Sequence, residues 1–166
     1  MMATQDSFLA QEWTQLRLTP SLVSAGMTAV EPSGIFASIK EAVAGARGVA
    51  EAFKANGALE LFAALAADKS FPALPDLSTI MGKGSREEQM ENFRTTVLAR
   101  VRSAVELVVQ KGSPAEAAAY RAMLVDVAER AANAAKEGGF LGFGGARVSA
   151  SEESLINEVK KAAGFA

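Results

Sequence analysis

Residues 138–145 read GGFLGFGG, five glycines and two phenylalanines in eight positions, with ARVSASEE directly after them. A glycine-rich loop ahead of a helix can bind phosphate, because exposed backbone N–H groups and the positive helix end both attract an anion. Here the order G-x-G-x-x-G is absent, no strand pattern precedes the loop, and Ser149 is placed to cap the following helix itself. Phe140, Leu141 and Phe143 are also apolar where a phosphate cradle wants small or polar groups. The better readings are a connection whose aromatic side chains tuck onto a core, or a tip that contacts a partner or ligand.

MGKGS at 81–85 invites comparison with a nucleotide-binding P-loop. In the pattern G-x-x-x-x-G-K-[ST], Leu77 stands where the first glycine belongs and Gly84 stands where the Ser or Thr belongs. Glu87, Glu88 and Glu91 crowd one stretch, as do Glu152 and Glu153. Their positions suit the first turns of helices rather than a metal site, and no D-x-[DN]-x-[DN]-G calcium loop occurs. The chain has no Cys and no His. This excludes disulfides, thiolate metal sites, Cys nucleophiles and Ser-His-Asp triads, and leaves Glu, Asp, Lys and Tyr for acid–base work. No spacing marks a reacting pair, so no catalytic residue, metal ligand or cofactor is assigned. Trp13 and Tyr120, each the sole residue of its kind, lie on apolar faces with Leu9 and Leu16, and with Leu124. They are read as core or groove-lining anchors able to contact a partner or ligand.

The elements that must position these groups are helical. Thr19-Pro20 reads as an N-cap and first helical residue, opening a helix that Pro32 stops. Ser33 then opens a helix with Ile35, Phe36, Ile39, Val43, Ala46, Ala50 and Phe53 on one face, ended in left-handed fashion at Asn56-Gly57. Gly45 and Gly48 inside it imply a close helix crossing. A shorter helix follows with Leu59, Phe62 and Leu65. Residues 70–84 are the longest irregular stretch and the natural hinge.

Ser85 and Glu88 form a capping box before a stripe of Met90, Phe93, Val97, Val101, Ala104 and Val108, broadened by Leu98, Val105 and Val109. Ser113-Pro114 with Glu116 starts the next helix, which carries Tyr120, Leu124, Val127, Ala131 and Ala134 inward and an outward Asp126–Arg130 pair. Ser149 and Glu152 form a second capping box, before Leu155, Ile156, Val159 and Ala163. The expected fold is all-α: a single compact bundle of five or six main helices over residues 8–166, with residues 1–7 as a flexible tail.

Two resemblances attach to particular motifs. GGFLGFGGARVS at 138–149, and TPSLVSAGMTAVEPSG at 19–34, resemble a group of uncharacterised small bacterial helical proteins, from which no activity carries over. AAKEGG and VSASEE are similar to the flanks of tellurite-resistance TerB-like helical units, with AVEPSG and IKEA as a worn first copy, which implies two related helical halves. GGFLGFGG replaces the acidic turn that would hold metal there, so metal binding is not implied.

The chain has 166 residues, 49% hydrophobic and 22% charged, with a net charge of −2. That is enough apolar surface for one core and gives no basic stripe for nucleic acid. The N-terminal stretch lacks a basic residue before Arg17, and the uncharged run Leu18 to Val30 is too short to cross a bilayer. The expectation is a cytoplasmic, non-enzymatic protein whose partner is another protein or itself. A carrier or sensor of a small apolar ligand is the alternative, followed by a carboxylate-dependent metal protein or enzyme. Weak peripheral membrane binding through the FLGF tip is a further option.

Overall fold

A computed structural model describes residues 2–29, 39–70, 72, 75–137 and 150–166. Over these residues the protein is all-helical, with helices α1 (Ala10–Ala29), α2 (Ile39–Ala55), α3 (Glu60–Ala67), α4 (Leu77–Met81), α5 (Arg86–Lys111), α6 (Pro114–Glu137) and α7 (Ala150–Ala162). No strand occurs among the described residues. Helices α1, α5, α6 and α7 form the central bundle, α2 and α3 pack together beside α1 and α6, and α4 lies on α5.

Local chemistry explains the strongest elements. Ser85 Oγ accepts the Glu88 N–H at 3.2 Å, and Glu88 Oε2 accepts the Ser85 N–H at 2.8 Å, which closes the expected capping box of α5. Phe93, Val97, Val101, Ala104, Val105 and Val108 are buried along its inner face. Val109, placed on that stripe by spacing, is instead 50% exposed. Asp126 and Arg130 pair at 2.7 Å on the surface of α6. At the end of α7, Gly164 takes φ +91, its N–H bonds Lys161 O at 3.0 Å, and Phe165 N–H bonds Lys160 O at 2.9 Å. This Schellman arrangement satisfies carbonyls that the helix leaves open.

The main correction concerns Pro20. It does not begin a helix; α1 runs through it from Ala10 to Ala29. A proline inside a helix removes one N–H and leaves the carbonyl four residues back without its donor. That carbonyl belongs to Leu16, and the Tyr120 hydroxyl donates to it at 2.8 Å. Thr19 Oγ1 meanwhile donates to Gln15 O at 2.8 Å, a bond that bends helices locally. Tertiary contact thus rescues a helix that local pattern would end.

Three smaller readings also change. Val49, Ala52 and Phe53 form the buried face of α2, whereas Ala50 is exposed. Its end at Asn56-Gly57 closes by short three-residue bonds, Asn56 N–H to Phe53 O and Gly57 N–H to Lys54 O at 3.0 Å, without a left-handed residue. A side chain at Gly48 would meet nothing within 4 Å among the described residues, so none of the described helices crosses there. Gly48→Ala should therefore raise the unfolding free energy by about 0.5–1 kcal/mol. Urea denaturation checks this, and a loss of stability would show that a neighbour does approach.

Irregular segments carry surprises too. Residues 70–84, read as irregular, contain the short helix α4. Residues 2–7, expected as a tail, hold Ala3 fully buried and a 3-10 turn at Gln5–Ser7. The reading of GGFLGFGG, the Ser149 cap and the opening of a helix at Ser33 all fall outside the described residues.

Candidate functional site

Three polar constellations sit against the core, each built from residues distant in sequence. The first centres on Glu116, which is fully buried in the first turn of α6. Its carboxylate accepts the Ser113 N–H at 2.7 Å, the Leu61 N–H at 2.9 Å and the Ala3 N–H at 3.1 Å. Ser113 Oγ accepts the Glu116 N–H at 3.2 Å, which completes a capping box on α6. Helix α3 begins after Leu59, whose side chain cannot cap, so Glu116 caps α3 from α6. One carboxylate therefore faces two helix N-termini, where the dipoles favour negative charge. Burial pushes its pKa up, but the bonds from the Ser113, Leu61 and Ala3 N–H groups outweigh that and hold it below the ordinary glutamate value.

The second constellation joins α1 to the chain after α3. Asp68 Oδ1 accepts the Ser70 hydroxyl at 2.6 Å and the Ser70 N–H at 2.9 Å, and Oδ2 accepts Trp13 Nε1–H at 2.9 Å. Arg17 lies 3.2 Å from Asp68 Oδ2, and its guanidinium also donates to Ser70 Oγ at 2.8 Å, to Asp68 O at 3.0 Å and to Ser70 O. The bonds from the Ser70 side chain and from Trp13, with help from Ser70 N–H and Arg17 against burial, bring Asp68 down to about 2. A carboxylate so stabilised is a weak base, suited to holding partners rather than taking protons.

The third is Tyr120 itself. It is fully buried, packs 6.4 Å from Phe62 between ring centroids, and gives its hydroxyl to Leu16 O. Burial pushes its phenol well above the ordinary value. Trp13 is 5% exposed, with Phe8 at 5.9 Å between centroids. Both aromatic residues singled out in the sequence thus lie in the core, Trp13 on α1 and Tyr120 on α6. Leu9, grouped with Trp13 by spacing, is 60% exposed. Phe140, Leu141 and Phe143 lie outside the described residues.

Sequence spacing gave no partner for Asp68, and no sign of Arg17's role or of the reach of Glu116. The S-P-x-E pattern at 113–116 signals the local capping box, but nothing in it signals Ala3 or Leu61. Among the described residues no group of three or more acidic side chains could hold a metal ion, and no helix is long and apolar enough to cross a membrane. No protein-family model, curated protein or solved structure matches this chain.

At the end of the bundle where α1 begins and α5 ends, polar and apolar groups alternate at the surface. Glu12 Oε2 accepts the Leu9 N–H at 2.8 Å and pairs with Lys111 Nζ, which sits 5.6 Å above the Phe8 ring. Leu9, just before α1, and Val109, near the end of α5, are largely exposed.

Proposed function

We propose that the chain acts by protein–protein interaction rather than catalysis, with self-association as its simplest form. The observation that carries this reading is the exposure of two large apolar side chains, Leu9 at 60% and Val109 at 50%, near the start of α1 and the end of α5. Covering apolar surface is favourable by about 25 cal/mol per Å². The polar constellations support the same reading, since their carboxylates bind the chain's own N–H groups and side chains. Phe140, Leu141 and Phe143 belong to this proposal as further contacts. A cytoplasmic setting fits the cysteine-free composition, and the balanced charge fits a protein partner better than nucleic acid.

Sedimentation velocity from micromolar to millimolar concentration tests the proposal, with a Leu9→Asp/Val109→Asp variant alongside. The wild type should sediment faster as concentration rises, and the variant should remain monomeric with its helicity intact. A wild type that is monomeric throughout, or a variant that associates equally well, overturns self-association through this end.

A further inference from the structure

We propose that α4 is a detachable cover on α5, coming away and unwinding while the rest of the bundle stays folded. A five-residue helix has too few internal bonds to hold its own conformation, so α4 depends on what it packs against. Its main packing neighbour is α5. Among its described side chains, Ser78 and Thr79 are exposed, Ile80 is half-buried, and Met81 alone is buried, at 7%. The polar tie is equally narrow: Asn92 Nδ2–H donates to Met81 O at 3.0 Å, and Gln89 Nε2–H reaches Gly82 O and Gly84 O at 3.4 and 3.5 Å.

The two ends of α4 mark out the piece that opens. Asp76 Oδ1 accepts the Ser78 N–H at 2.9 Å and its hydroxyl at 2.7 Å. This cap lies within the segment and opens with it. On the other side, Gly82 at φ +70 and Gly84 at φ +144 occupy backbone conformations that side-chain-bearing residues rarely adopt. They join α4 to the capped start of α5, which the Ser85–Glu88 box holds in place. Upstream, Arg17 fixes the carbonyls of Asp68 and Ser70 to α1. Opening α4 therefore breaks the Met81 packing, the Asn92 bond and α4's own few backbone bonds, and leaves the capped start of α5 intact. It uncovers the part of α5 around Gln89 and Asn92, next to the core cluster to which Met81 and Phe93 belong.

Residue-resolved amide exchange on the full chain tests this. The amides of Ile80 and Gly82, bonded to Asp76 O and Ser78 O, should open at least about 100-fold more often than those of Val101 and Val108. Their exchange should be nearly independent of low urea, because a small opening exposes little surface, whereas Val101 and Val108 should respond steeply. Asn92→Ala should raise exchange at Ile80 and Gly82 about fivefold through loss of one hydrogen bond, with Val101 and Val108 unchanged. The proposal is overturned if all four amides share one rate and one urea slope, or if the variant accelerates all four equally. Should the variant not fold, the urea slopes of the wild type decide the matter.

Discussion

Replacing Glu116 with alanine is expected to lower the unfolding free energy by about 4 kcal/mol, the scale for breaking a buried charged network. The substitution removes the acceptor of three N–H groups that come from separate parts of the chain: Ala3, Leu61 and Ser113. Each is left facing a fully buried site. Helix α3 loses its cap, α6 loses half of its capping box, and the N-terminal residues lose their polar anchor. Glu116→Gln keeps the shape and one acceptor oxygen but turns an NH₂ group toward an N–H. It should cost about 2 kcal/mol, since one bond becomes a donor–donor contact.

The pH dependence carries a definite sign. Because the folded pKa of Glu116 is depressed, its contribution is complete above the unfolded glutamate range, about 4.3. It is lost as pH falls through the folded value. The wild type should therefore lose stability in acid over a window where Glu116→Gln, which does not titrate, loses less. Urea midpoints measured across that range check it, and parallel curves for the two proteins would contradict it.

Tyr120→Ala should cost a similar amount, about 4 kcal/mol, as a large aromatic deletion in a packed core. Tyr120→Phe isolates the hydroxyl. It leaves the Leu16 carbonyl unpaired in the core, at a cost of about 1–2 kcal/mol. The reason the carbonyl needs Tyr120 is Pro20, which supplies no N–H. In a Pro20→Ala background the new backbone N–H can reach Leu16 O, so the Tyr120→Phe penalty should shrink by about 1 kcal/mol. A double-mutant cycle measures that coupling by urea denaturation. Purely additive effects would show that the hydroxyl does not stand in for the missing donor.

Sequence periodicity revealed those elements whose determinants are local. The α5 start was legible because Ser85 and Glu88 bond each other across three residues, and the end of α7 because Gly164 supplies the positive φ. The all-helical class followed from such signals together with apolar spacing along α5, α6 and α7. What escaped depends on partners far along the chain. Pro20 looks like a helix start until Tyr120, 100 residues later, satisfies Leu16. Glu116 looks like a local cap until α3 and Ala3 arrive at its carboxylate. Val109 and Ala50 belong to apolar faces by spacing alone, yet which edge of a wide stripe meets the core depends on where neighbouring helices lie.

The polar groups that tie the core together divide into two kinds. Trp13 and Tyr120 use their polar ends to tie α1 to Asp68 and to α6. Glu116 and Asp68, which no motif marks as reactive, each accept several hydrogen bonds, and both are held in the ionised form by donors from the chain itself. An acid kept for catalysis is usually shifted the other way, with burial raising its pKa so that a proton is available near neutrality.

That difference is open to direct measurement. Carbon-13 NMR of the side-chain carboxyl of Glu116, followed through an acid titration of the folded protein, reports its protonation alone. If the buried carboxylate is an internal lock, it titrates below the ordinary value of 4.5. A midpoint at or above that value would mean that burial dominates its donors, and would contradict the account of Glu116 as a structural anion.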